Sequence, residues 1–212
     1  MTDRQVRDEV MTLLLAGHET TATALTWTWY LLSQHPGVED RLHTELDQVL
    51  AGQPPSVEHL PMLPYTRMIL EEALRLYPPT FSLSRRALVD DEIGGYALPA
   101  KSTILLCPYT THRHPAFWEA PDEFNPERFL PECAAGRPHF AYFPFGGGPR
   151  QCIGNYFAMM EVVLLLATIG QRFRFSLRES VEVLPVLSLR PKNGIKVRLH
   201  RRANDAAPLL DC

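Results

Sequence analysis

A chain of 212 residues, 45% apolar and 21% charged, has an ordinary globular composition and enough length for one sizeable core. Its net charge of −3 supplies no basic field for nucleic acid, and no uncharged apolar run reaches the ~18 residues of a membrane span. The four cysteines, Cys107, Cys133, Cys152 and Cys212, contain no Cys-x-x-Cys pair, so zinc and a disulfide framework are poor readings. No secretory leader is read at Met1. The chain as given is expected to be soluble and cytoplasmic, and a membrane anchor on a longer parent stays open.

The first element opens on Thr2-Asp3-Arg4-Gln5, a capping-box pattern. Apolar residues at Val6, Val10, Leu13 and Leu14 keep a helical period, and Pro36 stops the helix after about His35. At ~1.5 Å per residue this is on the order of 50 Å. In its middle, Ala16-Gly17-His18-Glu19-Thr20-Thr21 turns an apolar helix polar. Gly17 lets a ligand approach the backbone, and the Thr20 hydroxyl can reach the Ala16 carbonyl and bend the helix. Taken alone, the segment also reads as a helix surface bearing threonines.

Residues 37–50 read as a second helix. A third takes Pro64 as its first residue, runs over 65–77 and ends at Pro78-Pro79. Glu72 and Arg75 lie three apart on it, share a face and can pair. Pro is abundant, 19 residues, and its density between Pro54 and Pro149 predicts much irregular chain. Short strands are predicted over 82–89, 96–98 and 103–109, with turns at Gly94-Gly95 and Pro99-Ala100.

The run Phe145-Gly146-Gly147-Gly148-Pro149-Arg150-Gln151-Cys152-Ile153-Gly154 suits neither helix nor strand. It predicts a tight loop passing close to something bulky, followed by a helix over 155–170. Cys152 then sits where a glycine loop meets a helix N-terminus, whose positive end and free N–H groups favour a thiolate. Arg150 adds a cation suited to a carboxylate. A thiolate so placed fits a haem-iron ligand; the plainer alternative is a buried cysteine in a glycine turn. Beyond the helix, 187–189 and 195–199 flank Asn193-Gly194, which suggests a hairpin between them. Residues 201–212 are expected to form a disordered tail.

Four segments together resemble the cytochrome P450 family. Phe145–Gly154 is similar to its cysteine-ligand loop, F-G-G-G-x-R-x-C-x-G, and continues through Ala158 and Glu161. Ala16–Thr21 resembles its oxygen-binding motif, Glu72-Ala73-Leu74-Arg75 its E-x-x-R, and Pro126-Glu127-Arg128-Phe129 the companion of that motif. The resemblance implies a mainly α fold with small β-sheets, a long central helix first and the cysteine loop before the last long helix. It covers residues 1–200, in a family whose fold is about twice as long, so the first half is expected to be absent here.

By this resemblance Cys152 ligates the iron of haem b, and Arg150, Phe145, Gly146, Gly154 and Arg85 bind the cofactor. Thr20 steadies the oxygen being activated and Glu19 helps relay protons. Glu72, Arg75 and Arg128 form a structural charge network. Ala16, Thr80, Phe81, Ser82, Ser188 and Leu189 are candidate substrate contacts, while His112 reads better as a structural histidine. The implied activity is an O2-dependent monooxygenase acting on a small apolar molecule. Its electrons come from NAD(P)H through a ferredoxin, flavodoxin or flavoprotein reductase; no metal beyond haem iron is expected. A truncated, non-catalytic remnant and a haem-thiolate isomerase or peroxygenase are the alternatives, and intact Thr20 and Glu19 argue against the last two.

Overall fold

The computed structural model describes residues 1–202. Among them the α-helices are α1 (Asp3–Gln34), α2 (Pro36–Leu50), α3 (Pro64–Leu76), α4 (Pro108–Thr111), α5 (Pro131–Ala134) and α6 (Asn155–Gly170), and short 3-10 turns include Pro126–Phe129 and Gly148–Arg150. The capping box at the start of α1 forms as predicted. The Gln5 amide donates to Thr2 Oγ1, and Gln5 Oε1 accepts the Thr2 amide at 2.8 Å, so two otherwise orphaned donors are satisfied. Pro36 and Pro64 occupy the first position of α2 and α3, where a missing N–H is harmless. The sequence expectation of a mainly helical chain with small sheets holds.

The strands are β1 (Leu83–Arg86), β2 (Asp91–Ile93), β3 (Tyr96–Leu98), β4 (Thr103–Leu106), β5 (Phe173–Leu177), β6 (Val183–Pro185), β7 (Leu189–Pro191) and β8 (Val197–Arg201). They pair antiparallel two by two: β1 with β4, β2 with β3, β5 with β8 and β6 with β7. Strand β2 was not expected, because Asp91 and Glu92 are poor strand formers. Gly94 and Gly95, at φ of +58° and +85°, make the tight turn that pairs Ile93 with Tyr96. Strand β4 stops short of the expected residue 109 because Pro108 opens α4.

The predicted hairpin about Asn193-Gly194 does not form. Strand β7 is taken by β6, and β8 returns past the end of α6 to β5. The Asn-Gly step turns the chain but does not choose the partners, because Arg202 draws the end of β8 onto α2. It pairs with Asp47 at 2.7 Å and donates to the carbonyls of Gly170 and Gln171. Arg201 and Arg202, expected in the tail, therefore belong to a strand and an ion pair. The rest of that tail, 203–212, lies outside the described residues.

The core gathers the second half of α1 with α2, α3 and α6. Leu32, Leu42, Leu46, Ile69 and Leu166 are wholly buried, each contributing roughly 1.5–3 kcal/mol by burial. Gly170 lets α6 close on α2, since a Cβ there would lie 2.9 Å from Leu46 Cδ1. The first half of α1 differs. Residues 3–18 are exposed, and Leu13, Leu14 and Leu15 retain 58%, 59% and 67% of their surface. Ile153, Tyr156 and Phe157, at the start of α6, are also uncovered.

Candidate active site

The cysteine loop is built from three glycines with different reasons. Gly146 and Gly148 have φ of +71° and +69°, which side chains rarely adopt. Gly147 is extended, but a Cβ there would meet Phe140 Cε1 at 2.5 Å. The Gly146 amide donates to the Phe143 carbonyl at 3.0 Å, and the Cys152 amide donates to the Phe145 carbonyl at 2.9 Å. These bonds fold the loop back on itself and fix where Cys152 emerges. Phe145 packs against the core, and β1 lies alongside, with Leu83 Cδ1 3.4 Å from a Cβ placed on Gly146.

Cys152 is solvent-exposed two residues before Gly154, the N-cap of α6. Gly154 has no side chain to cap that end, and of the first amides of α6 that of Tyr156 donates to Asn155 Oδ1 at 2.7 Å; the positive end of the helix begins two residues past the sulfur. A Cβ on Gly154 would be 3.9 Å from Cys152 Sγ. Arg150 is exposed and in no ion pair among the described residues. Arg85 is half-buried on β1 and donates to the Ser84 carbonyl at 2.9 Å; Arg86 is exposed.

Behind the loop, Glu72 and Arg75 have no exposed surface. Arg75 Nε and Nη2 donate to the two Glu72 oxygens at 2.6 and 2.8 Å. Arg75 also donates to the carbonyls of His112, Pro121 and Glu123 at 2.8, 2.6 and 2.9 Å. Glu72 Oε1 accepts the Asn125 amide at 2.9 Å. Arg128 joins more loosely. Its Nε is 3.4 Å from Glu72 Oε1, close enough for the charges to attract but without a hydrogen bond, and its Nη2 donates to the Ala120 carbonyl. The predicted triad is thus assembled, and one helix anchors a long stretch of irregular chain.

Sequence reasoning missed how this network reaches the cysteine. His112 is wholly buried; its carbonyl accepts from Arg75 while its Nε2 accepts the Phe143 amide at 2.9 Å. The path therefore runs from α3 through His112 to the first residue of the loop turn. Burial, with help from the Arg75 and Arg113 charges, pushes His112 down to about 3, so the ring stays neutral and able to accept. Trp118 and Arg137 were also missed. Arg75 lies over the Trp118 ring at 5.0 Å and Arg137 at 4.1 Å, and Arg137 Nη2 donates to the Arg128 carbonyl at 2.6 Å. No local pattern marks Arg137, because its partners come from other loops.

In α1 the Thr20 hydroxyl donates to the Ala16 carbonyl at 2.6 Å, the bond read from the sequence. Thr20 and Glu19 are half-buried, Ala16 is exposed, and nothing lies within 4 Å of a Cβ on Gly17. The turn between β6 and β7 reaches this segment: Ser188 Oγ donates to Glu19 Oε1 at 2.6 Å. Ser188 and Leu189 are both buried. Trp27 Nε1 donates to the Leu189 carbonyl at 2.7 Å, and the Leu189 amide donates to the Pro79 carbonyl at 2.9 Å. Thr80 and Phe81 follow half-buried and Ser82 exposed. Two side-chain bonds to α1 and one backbone bond to Pro79 therefore make the candidates on α1, on the segment after α3 and on the β6–β7 turn neighbours.

The donor set suits haem. Among the described residues no three His, Cys, Asp or Glu side chains gather to hold a bare ion. One cysteine sulfur on a stiff loop fits a metal that brings its other ligands with it. The cytochrome P450 family profile matches residues 1–199. This chain belongs to the cytochrome P450 family. It is 46% identical over 198 residues to cyclooctatin synthase of Streptomyces melanosporofaciens, covering 93% of this chain and 40% of that protein. It is 41% identical to chloroplastic cytochrome P450 97B2 of Glycine max, covering 95% of this chain and 41% of that one. The cytochrome P450DA heme domain superposes with a TM-score of 0.91 at 36% identity, over 96% of this chain and 46% of its own. The chain thus spans about two fifths of the length of these curated P450 relatives. No helix among the described residues is long and apolar enough to cross a membrane.

Proposed function

We propose that the protein carrying this chain is a haem-thiolate monooxygenase that oxidises a small apolar molecule with O2. The observation that carries this reading is Cys152 beside the uncapped start of α6, on a loop tied through His112 to the buried Glu72–Arg75 pair. When bound, haem b supplies oxygen activation, with the thiolate donating electron density that favours O–O cleavage. Cys152 Sγ would hold the iron. Arg150 and Arg85 are the cations available to the haem carboxylates, and Phe145, Gly146 and Gly154 form the wall against which the cofactor lies. The Glu72–Arg75–Arg128 network keeps that wall in place and takes no part in chemistry.

Thr20 and Glu19 handle protons. The Thr20 hydroxyl gives its hydrogen to the Ala16 carbonyl, which leaves its lone pairs free to accept and the group free to rotate into a donor. Glu19 supplies an exchangeable carboxyl one residue away. Ala16, Thr80, Phe81, Ser82, Ser188 and Leu189 border the substrate. Electrons come from NAD(P)H through a ferredoxin, flavodoxin or flavoprotein reductase. The presence of both Thr20 and Glu19 favours this reading over an isomerase or peroxygenase, neither of which needs a proton relay to activate O2.

The experiment is turnover of the haem-loaded protein with a reductase chain, NAD(P)H and a panel of apolar substrates. Oxidised product that depends on both NAD(P)H and O2 is expected. Thr20→Val should keep haem loading but divert reducing equivalents to peroxide. Product formed without O2, or coupling unchanged in Thr20→Val, contradicts the assignment.

A further inference from the structure

We infer that Ser188 is a positioning residue for Glu19: it holds the carboxylate in one orientation, so the β6–β7 turn sets the proton path rather than only bordering substrate. The inference rests on the proposed relay role of Glu19. It begins from the bond of Ser188 Oγ to Glu19 Oε1 at 2.6 Å, between residues 169 apart in sequence. Ser188 is 4% exposed, so water does not compete freely for its hydroxyl. Glu19 makes no ion pair among the described residues, and Ser188 is the side chain that fixes its rotamer. A carboxylate on a flexible stem loses rotamer freedom when held, and a short bond from a buried hydroxyl offsets part of that loss.

The turn is itself anchored independently of Ser188. The Leu189 carbonyl accepts from Trp27 Nε1, about two turns further along α1 than Glu19, and the Leu189 amide donates to the carbonyl of Pro79, just past the end of α3. Trp27 stacks on Tyr77 with ring centroids 4.1 Å apart, which stiffens the anchor. Three elements thus bring one hydroxyl to one carboxylate. The same turn leaves Leu187, the residue before Ser188, 89% exposed. Ser188 neither gains nor loses a proton in the scheme; Glu19 exchanges it.

The test uses the full chain labelled with 13C-carboxyl glutamate, read by infrared difference spectroscopy. Ser188→Ala should shift the asymmetric carboxylate stretch of one glutamate, and that shift should vanish in a Glu19→Gln background. Ser188→Thr, which keeps the hydroxyl, should restore the wild-type band. Because the backbone anchors of Leu189 do not use the Ser188 side chain, Ser188→Ala should fold; if it does not, Ser188→Cys, a weaker donor of similar size, should shift the band in the same direction. No shift in the variant that folds, or a shift that persists in Glu19→Gln, overturns the inference. In the haem-loaded protein, Ser188→Ala should raise peroxide released per NAD(P)H consumed several-fold, with substrate KM changed less than kcat, and Ser188→Thr should reverse it. A band shift without that rise in peroxide leaves the orientation of Glu19 standing and contradicts its role as proton relay.

Discussion

Arg75 grips both oxygens of Glu72, at 2.6 and 2.8 Å, where neither side chain touches solvent. The remaining guanidinium hydrogens go to three carbonyls between 37 and 48 residues away. An isolated ion pair at helical spacing is worth little, but this one is the fastening for chain that has almost no secondary structure of its own.

Removing one member leaves a buried charge without its counterpart, typically a loss of about 3–5 kcal/mol. Arg75→Ala should therefore lower the urea midpoint strongly, and Arg75→Lys should recover little, because an ammonium cannot reach both Glu72 oxygens and three carbonyls. Arg128→Ala should be milder, since its Nε makes no hydrogen bond to Glu72. Equal losses for Arg75→Ala and Arg128→Ala would contradict this ranking.

The acid limb of stability should be steered by two histidines. Burial, then the Arg202 and Arg174 charges, pushes His43 down to about 4, and burial pushes His112 to about 3. Both values lie below the unfolded value of about 6.5. As pH falls below about 6.5 the unfolded chain takes up protons that the folded chain refuses, so stability falls by up to ~1.4 kcal/mol per pH unit for each group. Glu39 and Glu71 act oppositely: burial raises both, so the folded state takes their protons first on acidification and regains part of the loss near and above pH 4.5. Urea midpoints should thus drop most steeply from about pH 6.5 toward 5, and His43→Gln should flatten the slope. A midpoint constant between pH 7 and 5 would contradict it.

How much of this could be read from residues alone divides along locality. The start of α1, the first residue of α3, the Thr20–Ala16 bond and the Glu72–Arg75 pair are set by neighbours within four positions, and all were legible; α2 begins at Pro36, one residue before the Gly37 read from the sequence. The Asn193-Gly194 hairpin failed because a turn cue says nothing of which strand is free to pair; β8 finds β5 instead. His112 reaching Phe143, and Ser188 reaching Glu19, span 31 and 169 residues, and no spacing announces them.

The exposed half of α1 should control association. Leu13, Leu14 and Leu15 stand uncovered side by side, together with Val6, Val10 and Met11 on the same segment. Contiguous apolar surface of this kind promotes aggregation in water. The purified chain should sediment as oligomers, and Leu14→Lys with Leu15→Lys should move it toward monomer without loss of helix content. A monodisperse monomer of the unmodified chain contradicts this expectation.

The central claim is that Cys152, as a thiolate, is the protein's ligand to haem iron. The most direct measurement is the absorption spectrum of the reduced, carbon monoxide-treated haem complex. That complex should show the red-shifted Soret band of a thiolate-ligated haem, lost in Cys152→His while haem binding persists in part. A band at the position of histidine-ligated haem in the unmodified protein, or a red-shifted band that survives Cys152→His, would contradict it.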